Sequence, residues 1–77
     1  MSIKVLYFAS LKDSVGRSSD ELSIEIPLSV REVWHRLNPD KPMPNTVLAA
    51  INMEYVDPNV LICDGDELAF FPPVTGG

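Results

Sequence analysis

The residues with the clearest chemical potential are the last two of the 77, Gly76 and Gly77. Glycine has no Cβ, so the walls of a partner's channel can close on its backbone. A terminal glycine also leaves its carboxylate sterically open to attack and transfer. Because a free carboxylate is a poor electrophile, we expect another enzyme to activate Gly77, for example as an acyl adenylate. The alternative is an inert, frayed chain end, since termini are often disordered.

The residues before the glycines favour a projecting tail over a frayed end. Pro72 and Pro73 have a fixed φ, and each disfavours helical geometry in the residue before it. Residues 73–77 span roughly 17 Å when extended. We predict that they form a flexible C-terminal tail that enters a channel in a partner, and that this tail consists of Pro73, Val74, Thr75, Gly76 and Gly77.

The rest of the chain must hold that tail. Runs of β-branched and aromatic residues, or strict alternation of apolar and polar residues, predict strands at 3–9, 21–26, 47–51, 55–56 and 67–71. A helical turn is predicted at 10–15. The main helix is predicted at 29–38, because Ser29 and Glu32 form a capping box and Pro39 ends the helical pattern. Its apolar stripe consists of Val30, Val33, Trp34 and Leu37.

This element order predicts an α+β fold in which residues 1–77 form a single domain. The sheet is mixed and has four to five strands, and the helix packs on one face. With the first and last strands adjacent, alternation turns one set of side chains toward the helix: Ile3, Val5, Tyr7, Leu68 and Phe70. The other set forms an apolar patch on the outer face, which is typical of an interface unless loops cover it: Leu6, Phe8, Ala69 and Phe71.

Composition excludes several classes of function. The net charge of −5 argues against nucleic acid and against anionic membranes. No secretory leader or membrane-spanning run is recognisable, and a single cysteine, Cys63, indicates a reducing compartment, so we predict a cytoplasmic protein. Cys63 is expected to be a small buried hydrophobic residue. His35 has no partner for a metal site, and no nucleophile–base constellation is present, so we predict neither a metal nor an enzyme.

The C-terminal segment at 64–77, DGDELAFFPPVTGG, resembles the signature of the small, sulfur-carrier subunits of molybdopterin synthase. Residues 3–9, IKVLYFA, and 48–52, LAAIN, resemble the first and middle strands of that family. The resemblance implies a β-grasp, ubiquitin-like fold. It also implies that an adenylating enzyme of the ubiquitin-activating type uses ATP to adenylate Gly77, and that sulfur then converts the adenylate to a thiocarboxylate (1-thioglycine).

The same resemblance implies where the sulfur goes. The loaded tail would enter the active site of the large synthase subunit, within a heterotetramer, and donate sulfur to cyclic pyranopterin monophosphate to form molybdopterin. This chain would bind no cofactor and supply no catalytic residue. The partner-binding positions that match the family are Phe8, Lys12, Tyr55 and Phe71, with Lys12 standing where many relatives carry arginine.

Three other functions remain open from the sequence. One is a sulfur carrier for another product, such as the thiazole of thiamine, although carriers of that kind usually lack the two prolines before the glycines. Another is a ubiquitin-like modifier that is joined to lysines through Gly77. The last is a plain binding module with an inert tail.

Overall fold

A five-stranded mixed sheet is the frame of the molecule. The computed structural model describes residues 2–73, within which the chain forms, in order, β1 (Ser2–Tyr7), α1 (Ser10–Val15), β2 (Ser19–Ser23), β3 (Leu28–Ser29), α2 (Val30–Leu37), β4 (Leu48–Ile51), β5 (Glu54–Val56), β6 (Leu61–Ile62) and β7 (Glu67–Phe71). The strand order is β2-β1-β7-β4-β5, and β3 pairs with β6 in a separate two-stranded sheet. Only β1 and β7 pair in parallel in the large sheet, and they lie at its centre. The predicted α+β fold with adjacent first and last strands is confirmed.

Helix α2 begins and ends as the sequence predicts. The Ser29 hydroxyl accepts a hydrogen bond from the Glu32 backbone N–H (3.1 Å), and the Ser29 N–H donates to the Glu32 carboxylate (3.0 Å). This capping box satisfies two backbone donors that the first turn would otherwise leave without partners. At the other end, Asn38 N–H donates to Trp34 O, and Pro39 follows in a turn.

The core lies between α2 and one face of the sheet. The predicted inward set, Ile3, Val5, Tyr7, Leu68 and Phe70, is no more than 2 % exposed at any position. Trp34 meets Phe70 edge to face, with ring centroids 5.0 Å apart, and its indole N–H donates to Lys41 O. Full burial of each large apolar side chain stabilises the fold by about 1.5–3 kcal/mol.

A polar cluster closes one end of this core. The Tyr7 hydroxyl donates to Asp20 (2.9 Å) and accepts from Asn38 Nδ2 (3.2 Å). Arg17 lies over the Tyr7 ring and donates to Asn38 Oδ1 and to Leu37 O. The cluster therefore joins β1 and β2 to the C-terminus of α2. Burial raises the pKa of Tyr7 above its ordinary value.

Two expectations about side chains are wrong, and both errors have a physical cause. The strand predicted at 21–26 places Ile26 on its apolar side, but β2 ends at Ser23, because its partner there, Ser2, is the first residue of β1. Ile26 therefore has no ladder to join and is 65 % exposed. Cys63 is exposed rather than buried. It follows Ile62, which is fully buried, and alternation along the chain turns the next side chain outward.

Candidate functional site

Three aromatic rings meet on the face of the sheet opposite α2. Phe8 and Phe71 are stacked, with centroids 4.8 Å apart and planes 5° from parallel. Tyr55 meets Phe71 at 61°, with centroids 6.0 Å apart. The rings border a cavity of about 330 Å³, here called the outer groove, which is lined by Leu6, Phe8, Ala50, Met53, Tyr55, Glu67, Ala69 and Phe71.

Strand register explains why these residues share one face. Ala69 lies opposite Leu6 on β1 and opposite Ala50 on β4, and Ala50 in turn lies opposite Tyr55 on β5. Side chains at paired positions point to the same side of a sheet. Small residues in the middle and large residues at the rim therefore produce a concave apolar surface.

Phe8 reaches the groove through an unusual piece of backbone. Its N–H donates to Phe70 O (3.1 Å), which extends the β1–β7 pairing one residue past Tyr7. The next residue, Ala9, has φ 52° and ψ −131°, and the chain turns there into α1. L-amino acids rarely adopt this geometry, which fixes the point where the chain leaves the sheet and leaves Phe8 stacked on Phe71.

The outer patch is less uniformly exposed than the alternation argument predicts. Phe8 is 41 % exposed and Tyr55 is 69 % exposed. Leu6 and Phe71 are half-buried, and Ala69, at 9 %, is buried. The prediction of an exposed Ala69 is wrong because its single methyl lies at the floor of the groove, between Leu6 and Ala50. Of the predicted patch, only Phe8 is exposed, and Tyr55 adds a second exposed ring beside it.

The turn between β4 and β5 contributes a residue that the sequence did not single out. Asn52 and Met53 form a two-residue turn with φ of 49° and 75°, and the Met53 side chain is 92 % exposed beside the outer groove. An exposed methionine in a turn is a weak signal in sequence. It becomes informative once the register places this turn beside Tyr55.

The other predicted site residues lie elsewhere. Lys12 is exposed on α1 and lines a separate depression with Asp13, Gly16, Arg17 and Ser18, so its contact with a partner stays a prediction. Pro73 is exposed and follows Pro72 directly after β7. The remaining tail residues lie outside the described part of the chain: Val74, Thr75, Gly76 and Gly77.

The outer groove is a mainly apolar surface of the kind that is typical of protein interfaces. Its lining is apolar apart from the Glu67 carboxylate and the Tyr55 hydroxyl, and it holds no nucleophile–base pair. Among residues 2–73, no three His, Cys, Asp or Glu side chains are close enough together to hold a metal ion. No helix in the same range is long and apolar enough to cross a membrane.

Comparison with known proteins identifies one family and several similar proteins. Residues 5–77 match the model of the ThiS family. The molybdopterin synthase sulfur carrier subunit of Escherichia coli is 36 % identical over 84 aligned positions, which cover 97 % of this chain and 99 % of that protein.

Solved structures agree on the fold. SAMP1 from Haloferax volcanii superposes with a TM-score of 0.81 at 24 % identity, covering all of both chains. A chain from the complex of subunits 1 and 2 of the molybdopterin-converting factor from Helicobacter pylori superposes with a TM-score of 0.69 at 22 % identity, also covering all of both chains. The predicted ubiquitin-like β-grasp fold is confirmed, and the chain belongs to the ThiS family, with molybdopterin synthase sulfur carrier subunits among its relatives.

Proposed function

We propose that this chain is the sulfur carrier subunit of a molybdopterin synthase. The observation that carries the proposal is the position of the outer groove at the root of the tail. Phe71 is both the last residue of β7 and part of the groove lining. A protein bound to Phe8, Tyr55 and Phe71 would therefore lie next to the point in the chain from which residues 73–77 continue. The E. coli relative, which is similar over nearly its whole length, carries this name.

The proposed chemistry takes place at the Gly77 carboxylate in two steps. One carboxylate oxygen attacks the α-phosphorus of ATP, pyrophosphate leaves, and an acyl adenylate forms. A sulfide-level nucleophile then attacks the acyl carbon and AMP leaves, so that one carboxylate oxygen has been replaced by sulfur. The adenylating enzyme of the ubiquitin-activating type supplies the site for the first step, and this chain supplies only the reacting group.

The second partner is the large synthase subunit, which takes the loaded tail into its active site. Support comes from the Helicobacter pylori structure, a protein–protein complex of subunits 1 and 2 of the molybdopterin-converting factor that contains a chain of this fold. In the proposed heterotetramer the thiocarboxylate sulfur attacks cyclic pyranopterin monophosphate, and water then cleaves the acyl–sulfur bond, which leaves the sulfur on the pterin and regenerates the Gly77 carboxylate. Two loaded carriers supply the two sulfurs of the dithiolene. The net charge of −5 and the single cysteine fit a cytoplasmic carrier that docks on basic partners.

Intact-mass spectrometry tests the carrier chemistry. The full chain is incubated with the activating enzyme, ATP and a sulfur donor. We expect a mass gain that corresponds to exchange of one oxygen for one sulfur, located on Gly77 by fragmentation. Addition of the large subunit and the pterin precursor should then yield molybdopterin.

The same assay separates the alternatives. A loaded chain that forms thiazole with a thiazole-forming enzyme but leaves the pterin unconverted would place it in the thiamine branch. Lysine conjugates through Gly77, with no thiocarboxylate, would make it a modifier. A chain that gains no sulfur with any activating enzyme and forms no conjugates would be a plain binding module.

A further inference from the structure

The most exposed large apolar side chain described is Met53, at 92 %. It lies in the turn between β4 and β5 and borders the outer groove beside Tyr55. We propose that Met53 is a specificity-determining contact that inserts into an apolar pocket of the large synthase subunit when the carrier docks. This inference rests on the proposed function and adds to it a residue outside the aromatic trio.

The backbone at Met53 favours a different residue in the free chain. Asn52 and Met53 are the two central residues of a hairpin turn, because Ile51 and Glu54 on either side are paired. Both φ values are positive, at 49° and 75°. Turns of this kind favour Asn-Gly, because glycine adopts positive φ without a steric penalty. Methionine at this position therefore makes the free protein less stable than glycine would. Its side chain does not offset that cost by burial in the free protein, since it is almost fully exposed.

The turn that carries Met53 is held firmly against β7. The Asn52 N–H donates to Glu67 O (2.8 Å), and the Glu67 N–H donates to Asn52 Oδ1 (3.0 Å). The Asn52 side chain also donates to Asp66 Oδ1 (3.0 Å). A fixed turn presents Met53 at one place relative to the groove, so less backbone entropy is lost when a partner covers it.

These features define the surface that must receive Met53. A thioether on an unbranched chain adapts to irregular apolar pockets, so the partner's pocket is expected to be apolar and shallow. The Glu67 carboxylate, the charged group in the lining of the groove, lies opposite Lys4 on β1 and can also accept a hydrogen bond from a donor beside that pocket. The occupant is the large subunit because the groove is continuous with Phe71, from which the chain runs into Pro72, Pro73 and the tail.

The test compares variants of the full chain for binding to the purified large subunit by isothermal titration calorimetry, and for stability by thermal unfolding. We expect Met53→Gly to raise the Kd roughly tenfold or more and at the same time to raise the melting temperature. Met53→Leu should bind within about threefold of the unchanged chain, because it keeps an apolar side chain of similar size. Ile26→Ala serves as the control, since Ile26 is 65 % exposed but lines a cavity that shares no residue with the outer groove.

A Met53→Gly chain that binds more weakly but melts at a higher temperature cannot have lost binding through damage to its fold. If Met53→Gly binds the large subunit as tightly as the unchanged chain, the inference is overturned. If Met53→Gly leaves that binding intact but slows thiocarboxylation, Met53 contacts the activating enzyme and the inference is also wrong. Failure of the unchanged chain to bind the large subunit refutes the proposed function itself, and conversion of the pterin precursor by the loaded, unchanged chain tests that function independently of the Met53 variants.

Discussion

Replacement of Tyr55 by alanine tests whether the outer groove is the docking surface. Tyr55 is 69 % exposed, which leaves about 140 Å² accessible if a tyrosine exposes about 200 Å². At about 25 cal/mol per Å², full coverage by a partner contributes about 3.5 kcal/mol and half coverage about 1.7 kcal/mol. Tyr55→Ala should therefore raise the Kd for the large subunit by between about 15-fold and about 300-fold.

The stability of the free chain should change much less. Tyr55 lies on the edge strand β5, and its edge contact with Phe71 is worth about 0.5–1.5 kcal/mol. Titration calorimetry gives the Kd, and urea unfolding gives the free energy of unfolding. Leu61→Ala is the matched control, because Leu61 is 57 % exposed on β6, away from the groove. A Tyr55→Ala chain that binds within about threefold of the unchanged one would refute the argument from exposed area.

Three further predictions concern stability. Ala9→Gly should raise the free energy of unfolding in urea by about 1 kcal/mol, because glycine relieves the strain at φ 52° and ψ −131°; a loss of stability would show that Ala9 is unstrained. Ser29→Ala should lower the free energy of unfolding by about 1 kcal/mol at neutral pH, because the Glu32 N–H loses its acceptor. The Ser29 backbone N–H, and after it the Ser29 side chain, lower the pKa of Glu32, so the stability that this pair gives is present at neutral pH and lost as the pH falls through that lowered pKa; the unchanged chain should lose more stability below about pH 4 than Glu32→Gln, which has no carboxylate to protonate, and equal losses would contradict this. Burial raises the pKa of Tyr7, so the stability that its protonated hydroxyl gives is complete below about pH 10 and is lost as the pH rises through the raised pKa. Tyr7→Phe should be less stable than the unchanged chain at neutral pH, but it should lose less stability between about pH 9 and about pH 12 in urea titrations.

The sequence predicts most of the main sheet because alternation there depends on local spacing. The inward positions of Val5 and Phe70 follow from period two alone, and the start of α2 follows from Ser29 and Glu32. Strands β3 and β6, at two residues each, are too short to carry a period. Their pairing depends on contacts between distant parts of the chain.

The candidate site, like the fold, could be predicted only in part from the sequence. The chemical group, Gly77, and the aromatic residues were accessible from composition, spacing and family resemblance. The depth of Ala69 and the position of Met53 were not, because both depend on which strand lies next to which. The strained backbone of Ala9 was also hidden, since alanine in sequence gives no sign of a positive φ.

The parallel pairing of β1 and β7 links docking to delivery. Parallel strands end at the same edge of a sheet, so Phe8, just past β1, and Phe71, at the end of β7, stack at that edge. Had the two strands been antiparallel, their C-terminal ends would lie at opposite edges, and a partner on Phe8 would be a strand length away from the tail. With the parallel arrangement, a protein that covers the outer groove also stands over Pro72 and Pro73. In the proposed complex only residues beyond these prolines would have to reach the partner's active site, so the contact proposed to select the partner would also bring the C-terminal end of the chain to it.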